Sequence, residues 1–175
     1  MYLRYSILAF ITFIFLLQSC TNPFAPAKAD SDASSSNLLT EQRNPDEVLT
    51  NFKFAYTFKD SLVYSELFDS SFVFLSMDYY EAPPVPIQWG RDLELKTTAR
   101  MFRFFNTLDL TFNVIGRDTS EYDANNSPTR IQQEITFTLA LDGGAAIPIL
   151  DGDVTFVYVR RGAKWLISYW EDKKI

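Results

Sequence analysis

Between residues 151 and 172 the sequence contains two runs in which large apolar side chains occupy every second position. The alternating residues are Val154, Phe156 and Tyr158 in the first run and Trp165, Ile167 and Tyr169 in the second. This period of two is typical of β-strands, and residues 160–163 between the runs form a turn-type cluster. Strands joined by so short a connection are antiparallel neighbours. Because apolar groups occupy both faces of the pair, we predict a hairpin in the middle of a sheet.

The same period recurs upstream of this hairpin. Residues 108–114 alternate between apolar and polar side chains, and residues 130–141 alternate in the same way, with Gln133 at one of the otherwise apolar positions. Such clean alternation is typical of antiparallel strands with one buried face. The polar segment 117–128 between them is predicted to be a loop. Residues 72–75 add a short first strand, and the three prolines of the segment 79–86 predict a loop there.

Helical spacing replaces this alternation near the start of the predicted domain. Asn44-Pro45-Asp46-Glu47 combines an N-cap residue, a proline at the first helical position and acids in the first turn. Apolar residues then recur along one helical face as far as Tyr56. A second, short helix ending at Leu67-Phe68 is predicted after Asp60, which we expect to cap it, and a third over residues 91–106. Early helices and a late series of strands predict an α+β fold, with the helices covering one face of the sheet.

The first 20 residues have the pattern of a targeting segment. Arg4 precedes an apolar run over residues 7–17, which is too short for an ordinary spanning helix. The run ends in Leu17-Gln18-Ser19-Cys20, which resembles the bacterial lipobox. The resemblance implies that residues 1–19 are a signal peptide and that Cys20 carries the lipid. A plain secretory signal or a membrane anchor is the alternative interpretation.

The lipobox resemblance also implies a location. Two acyl chains anchor a protein stably where one does not. Thr21 follows the cysteine, and the usual sorting pattern then favours the outer membrane, facing the periplasm. Residues 20–43, rich in Pro, Ala, Ser and Asp, are predicted to be a lipidated, flexible tether, and residues 44–175 the folded domain.

Composition narrows the classes of function. The chain has 175 residues and is 47% hydrophobic, which suits one packed domain. Its net charge of −6 argues against nucleic-acid binding. The absence of histidine excludes the commonest general base, Ser-His-Asp and Cys-His arrangements, and His-ligated metal sites. The lone Cys20 excludes an internal disulfide and a zinc cluster. No phosphate loop or metal-ligand spacing is found, so neither cofactor nor metal is expected.

The order of these elements resembles the NTF2-like superfamily, which includes SnoaL and ketosteroid isomerase-like proteins, over about residues 44–172. The resembling features are Ala55 in the first helix, Asp60, Leu67-Phe68, the third helix, and the closing segments 152–157 and 165–167. The resemblance implies a cystatin-like α+β cone, in which a curved, mostly antiparallel sheet wraps around the N-terminal helix and encloses a pocket. It implies no single function, because the superfamily contains isomerases, dehydratases, transport factors and secretion-assembly proteins.

Within such a cone, seven side chains are candidates for the pocket lining: Tyr56, Asp60, Trp89, Phe105, Phe156, Tyr158 and Trp170. Aromatic residues more often fill a core than line a site. Enzymes of the superfamily use an inward carboxylate or a His–Asp pair, sometimes with a tyrosine donor. The nearest acids here have ordinary explanations, Asp60 as a helix cap and Asp172 as part of a solvated C-terminal run. No catalytic residue is assigned.

Two classes of function are compatible with these features of the sequence. The sequence favours a non-catalytic lipoprotein whose domain binds a small apolar ligand or an envelope protein. The alternative is an acid/tyrosine-based isomerase or hydrolase that uses the same pocket, and a buried carboxylate within reach of a tyrosine in an open cavity would favour it. The second apolar face of the hairpin also predicts a homodimer, because an apolar sheet face in solvent is a liability.

Cys20→Ser tests the predicted anchor. We expect this variant to move from the membrane fraction to the soluble fraction, since the only thiol of the chain is removed. Fractionation followed by immunoblotting measures the change. Processed Cys20→Ser protein that stays with the membranes would indicate a different anchor.

Overall fold

The computed structural model describes residues 38–79, 81–144 and 147–174. Its helices are α1 (Pro45–Phe58), α2 (Ser61–Ser65) and α3 (Arg91–Phe104), with a 3₁₀ turn at Asp142–Gly144. Its strands are β1 (Phe68–Asp78), β2 (Val85–Gly90), β3 (Leu108–Tyr122), β4 (Pro128–Leu141), β5 (Leu150–Arg161) and β6 (Lys164–Lys174). The α+β class predicted from the sequence is confirmed. The predicted signal peptide, Cys20 and residues 20–37 of the predicted tether lie outside the described residues.

The six strands form one curved, open sheet in the order β2-β1-β6-β5-β4-β3. All neighbours are antiparallel except β1 and β6, which are parallel. Arg161 pairs with Lys164 across the β5–β6 turn, where Gly162 adopts a left-handed φ of 62° that glycine tolerates without strain. The β5–β6 hairpin has two strands on either side of it, so its predicted position in the middle of the sheet is confirmed.

Helix α1 lies at the centre of the core. Asn44 caps it as predicted, since Asn44 Oδ1 accepts a hydrogen bond from the Glu47 amide at 2.9 Å. Phe52 on its buried face is 1% exposed, and its ring centroid lies 5.2 to 6.2 Å from rings on α1, α2, β1, β3, β5 and β6. These rings belong to Tyr56, Tyr64, Phe68, Phe112, Phe156 and Trp170. The helix is thereby packed against most elements of the fold at once.

The predicted loop over residues 79–86 was wrong at its C-terminal end. Val85–Gly90 forms strand β2, in which Pro86 pairs with Met77 of β1. Proline is compatible with this position because β2 is an edge strand, where a residue without an N–H need not interrupt a ladder on the open side. The neighbouring Pro83 and Pro84 do lie outside the strands.

The predicted loop over residues 117–128 was also too long. Strand β3 continues to Tyr122 and β4 begins at Pro128, which leaves residues 123–127 as the connection. Asp123 Oδ1 closes this turn by accepting hydrogen bonds from the amides of Asn125 at 2.8 Å and Ser127 at 2.9 Å. This end of the β3–β4 pair is largely exposed, so polar side chains occupy both faces and the alternation that identifies a strand is lost.

Three boundaries also differ from prediction. Strand β1 begins at Phe68 and ends at Asp78, beyond the predicted 72–75. The second helix ends at Ser65, so Leu67-Phe68 does not belong to it. Helix α3 ends at Phe104 rather than residue 106. The ends of helices commonly shift by one or two residues. Strand β1 is longer than predicted because it pairs with β6 and β2 beyond the apolar residues 72–75.

Residues 40–42, which the sequence placed in the tether, contact the domain. The Thr40 amide donates to Asn51 Oδ1 at 2.8 Å. Gln42 is 2% exposed; its Nε2 donates to the Trp165 carbonyl at 3.2 Å, and its own carbonyl accepts from the Trp165 amide at 2.7 Å. These bonds attach the chain to α1 and to the start of β6.

The outer face of β5 and β6 carries apolar side chains. The predicted alternation of Trp165, Ile167 and Tyr169 on one face was wrong at Tyr169, because a register shift at residue 168 pairs Tyr169 with Val157 of the outer face. Val157 is 5% exposed, and Val159, Leu166 and Tyr169 are half-buried. The homodimer expected through this face stays a prediction. None of the helices in the described part of the chain has the length and apolar character needed to cross a membrane.

Asp60 caps α2 as predicted, since its Oδ1 accepts hydrogen bonds from the amides of Leu62 at 2.9 Å and Val63 at 3.0 Å. Loss of such a cap costs about 1 kcal/mol. We expect Asp60→Ala to lower the free energy of unfolding by about that amount, measured by urea denaturation. Asp60→Asn is the matched control and should cost much less, because Asn caps nearly as well. An equal loss in both variants would assign the effect to charge and not to capping.

Candidate functional site

A cavity of about 140 Å³ lies between α1 and the inner face of β3, β4, β5 and β6. Its lining consists of Phe52, Tyr56, Leu110, Phe112, Phe137, Leu139, Leu150, Val154, Phe156, Trp170 and Asp172. The half-buried members, Phe112, Phe137, Leu150, Trp170 and Asp172, form its open side. The volume is close to that of an engineered apolar cavity of about 150 Å³ that binds benzene. The site therefore suits a guest about the size of one aromatic ring.

Strand alternation explains why one carboxylate joins this apolar lining. In the β5–β6 pair, Phe156 lies opposite Trp170 and Val154 lies opposite Asp172. Paired residues face the same side of a sheet, and positions 170 and 172 share one face of β6. Asp172 is thereby directed inward, while its chain neighbours are directed to the outer face.

The environment of the cavity changes the pKa of the Asp172 carboxyl group. Burial raises its pKa from 3.8 to about 6, a hydrogen bond from the Trp170 indole opposes this, and the negative charge of Glu94 adds to it. The Trp170 Nε1 donates to Asp172 Oδ1 at 2.6 Å. The interpretation of Asp172 as part of a solvated run was wrong, because β6 continues to Lys174 and keeps this side chain on the inner face. At neutral pH most Asp172 side chains are ionised in an apolar environment.

A second carboxylate, Glu94 of α3, is buried and does not line the cavity. It is 5% exposed and accepts hydrogen bonds from Tyr64 Oη at 2.7 Å and Thr98 Oγ1 at 2.9 Å, both to Oε1. The Trp89 indole donates to its Oε2 at 2.8 Å. These donors satisfy both carboxylate oxygens, which makes Glu94 a structural link between α2, β2 and α3. Glu94 was not among the residues predicted for the site. Its four-residue spacing to Thr98, which places both side chains on one helical face, is the one feature of the sequence that indicates their contact.

Tyr56 lies close enough to both carboxylates for their charges to act on its hydroxyl. Burial raises the pKa of its hydroxyl, and the charges of Glu94 and Asp172 raise it further, so the phenol stays protonated. Its ring lines the cavity. Tyr64, which donates to Glu94, does not line it. The buried acid–tyrosine contact is thus outside the cavity, while the acid inside the cavity has an indole as its donor.

Three of the seven predicted pocket residues line this cavity: Tyr56, Phe156 and Trp170. The other four do not line it and have structural roles elsewhere in the domain. Asp60 caps α2, Trp89 stacks on Phe74 with ring centroids 3.9 Å apart, and Phe105 packs against the core after α3. Tyr158 is fully buried, and its hydroxyl has no hydrogen-bond partner among the described residues. Burial raises its pKa.

A larger cleft of about 410 Å³ borders β3, β4 and β5. Its polar residues include Thr136, Thr138, Asp151 and Asp153, which alternate with the core-facing residues of the same strands. The cleft therefore belongs to the outer face, and the sheet separates its acids from the cavity. Asp151 accepts a hydrogen bond from Thr138 at 2.6 Å, an ordinary cross-strand contact.

Within the described ranges, no cluster of three or more Asp, Glu, His or Cys residues has the geometry to hold a metal ion. The cavity contributes one carboxylate among aromatic and aliphatic groups. The site's chemistry is therefore that of an apolar pocket with a single anionic group.

The same fold occurs in solved structures of distant sequence. A putative scytalone dehydratase from Novosphingobium aromaticivorans DSM 12444 is 15% identical, with a TM-score of 0.60 over 74% of this chain and 80% of that chain. An uncharacterised protein with a cystatin-like fold from Caulobacter vibrioides is 14% identical, with a TM-score of 0.56 over 74% and 86%. A designed NTF2-like protein is 15% identical, with a TM-score of 0.50 over 74% and 99%.

No family model matches this sequence, and no curated protein matches it. At identities near 15%, structural similarity shows the fold alone. The chain has the NTF2-like, cystatin-like cone that its sequence resembles.

Asp172→Asn tests the raised pKa. Below about pH 4 the folded and unfolded states both hold the Asp172 proton. Between about pH 4 and pH 6 the unfolded state releases this proton while the folded state still holds it, so the folded protein loses stability, and the loss levels off above pH 6. Asn cannot ionise, so we expect the stability of the variant relative to wild type to increase by about 3 kcal/mol between pH 4 and pH 8. Urea denaturation across that range measures the difference. The control Asp118→Asn, at an exposed position, should show no comparable gain. If the free energy of unfolding of wild type and of Asp172→Asn changed with pH in the same way, the raised pKa of Asp172 would be contradicted.

Proposed function

We propose that this protein is a lipid-anchored cell-envelope protein whose NTF2-like domain binds a small, mainly apolar ligand in the cavity beneath α1, without transforming it. The observation that supports this most directly is the cavity itself, with its aromatic walls and one inward carboxylate, Asp172. Its open side gives a ligand access from solvent.

The energetic cost of the cavity supports a binding role. Protein cores contain few voids larger than a water molecule. An enclosed, unfilled cavity costs about 24 cal/mol per Å³, so 140 Å³ sets an upper bound of roughly 3 kcal/mol for this partly open cavity. The surrounding core is rich in large rings that could have filled this space, Phe52 and Phe156 among them. Binding of a ligand would restore the missing contacts.

The membrane anchor is proposed on the sequence of the N-terminus. Leu17-Gln18-Ser19-Cys20 resembles a lipobox, and Thr21 favours the outer membrane. The segment from Cys20 to the first contacts of the domain at Thr40 would hold the cavity near the periplasmic membrane surface. The sequence also suggested an envelope protein as the partner, but no feature of the described residues supports such a partner as directly as the cavity supports a small ligand.

The second candidate function is an acid/tyrosine isomerase or hydrolase. It is favoured by one observation, the pKa of about 6 that burial gives to Asp172 in the cavity, which suits a general base. Such an enzyme also needs a proton donor directed at the reacting atom. Tyr56 lines the cavity, but its hydroxyl interacts with Tyr64 and Thr98, and no hydrogen bond joins it to Asp172 among the described residues. This candidate therefore ranks below ligand binding.

Leu150→Trp tests the proposed function by filling the open side of the cavity. Benzylamine, benzyl alcohol and toluene serve as ring-sized probes, and NMR titration gives their dissociation constants. We expect at least one probe to bind the wild-type protein, and Leu150→Trp to weaken that binding at least tenfold. Ile149→Trp is the matched control, because Ile149 is 53% exposed and does not line the cavity. Failure of every probe to bind, or equal effects of the two substitutions, would contradict the proposal.

A further inference from the structure

The cavity places one carboxylate within a group of aromatic rings. Six rings contribute to the lining, from Phe52, Tyr56, Phe112, Phe137, Phe156 and Trp170. Among the described lining residues none is Lys or Arg, so no basic side chain of the lining neutralises Asp172. The only hydrogen bond to Asp172 within the described chain comes from Trp170, to Oδ1. The second carboxylate oxygen therefore stays available.

Electrostatics decides which ligand suits this arrangement. A neutral apolar ligand would displace the solvent that reaches Asp172 and leave a buried charge without a partner, which costs several kcal/mol. A cation would instead pair with Asp172, and the ring faces would add cation–π attraction of about 0.5 to 2 kcal/mol. Glu94, which lies close enough to influence Asp172, adds to the negative potential. The net charge of −6 acts in the same direction at longer range.

We propose that the cavity takes a small organic cation, a primary amine or methylated ammonium on a ring-sized apolar body, with its charged nitrogen at Asp172 and its carbon atoms against the aromatic walls. This inference rests on the proposed ligand-binding function and names the class of ligand. The size of the cavity limits the body to about one ring, comparable to the benzene-sized guest of a cavity of about 150 Å³.

The test compares matched probes on the full-length protein at pH 7.5. Benzylamine is protonated there, while benzyl alcohol and toluene have the same ring and no charge. We expect benzylammonium to bind at least tenfold more tightly than either neutral probe. Tetramethylammonium should also bind, because cation–π attraction needs no N–H group. Repeating the titration in high salt removes the long-range attraction of the acidic protein, whereas binding at a partly buried pair should persist.

Asp172→Asn identifies the residue responsible. It removes the charge and keeps an oxygen for the Trp170 indole. We expect it to weaken benzylammonium binding at least tenfold and to strengthen toluene binding, because a neutral ligand then no longer leaves a buried charge unpaired. The control Asp118→Asn removes an exposed charge at the far end of β3 and should change neither. If Asp172→Asn does not fold, the comparison of charged and neutral probes on the wild-type protein still decides.

The possible outcomes separate the two proposals. Neutral probes that bind as tightly as benzylammonium, or benzylammonium binding that Asp172→Asn leaves intact, would overturn the cation inference and leave ligand binding standing. Binding of the cation that disappears in high salt would also overturn it. If none of the probes binds, both proposals fail.

Discussion

The packing of one phenylalanine ring against rings from six elements is the contact on which the rest of the structure depends. Phe52 contacts aromatic side chains of α1, α2, β1, β3, β5 and β6, with centroid distances between 5.2 and 6.2 Å. Removing such a ring from a core costs about 3 to 5 kcal/mol. The same ring also forms a wall of the cavity. Stability and the shape of the candidate site therefore depend on the same side chain.

The two inward carboxylates show how similar groups acquire different roles. Glu94 receives three hydrogen bonds and is fully satisfied, so it fixes the positions of α2, β2 and α3. Asp172 receives one, from Trp170, and faces an open space. A satisfied buried acid stabilises a fold, whereas an acid with a free oxygen in a cavity is available to a ligand.

The sequence predicted the parts of the fold in which one face of an element is apolar. The β5–β6 hairpin, α1 with its Asn44 cap and the Asp60 cap were found because alternation, helical spacing and capping residues act locally. Strand β2 and the outer part of β3 and β4 were missed because exposed strands need no apolar alternation. Such strands are held by main-chain pairing with the adjacent strand, which the pattern of side chains does not record.

The site was less predictable than the fold. Tyr56, Phe156 and Trp170 were recognised as candidates, but whether aromatic residues leave a space or fill it depends on volumes that no local pattern contains. Asp172 was taken for a solvated residue because charged neighbours surround it. Residues two positions apart on a strand share a face, so Asp172 lies on the same face as Trp170. This spacing would have predicted an inward Asp172 if the strand had been extended to residue 174.

The attachment of residues 40–42 determines how force would enter the domain. A pull on the chain before Thr40 reaches Asn51 of α1 through Thr40, and the start of β6 through Gln42 and Trp165. Strand β6 also carries Trp170 and lies between β1 and β5 in the sheet. Tension would therefore be shared between the central helix and a central strand, and not concentrated on an edge strand that could peel away. The N-terminal segment is thus held by the helix at the centre of the core and by an interior strand of the sheet.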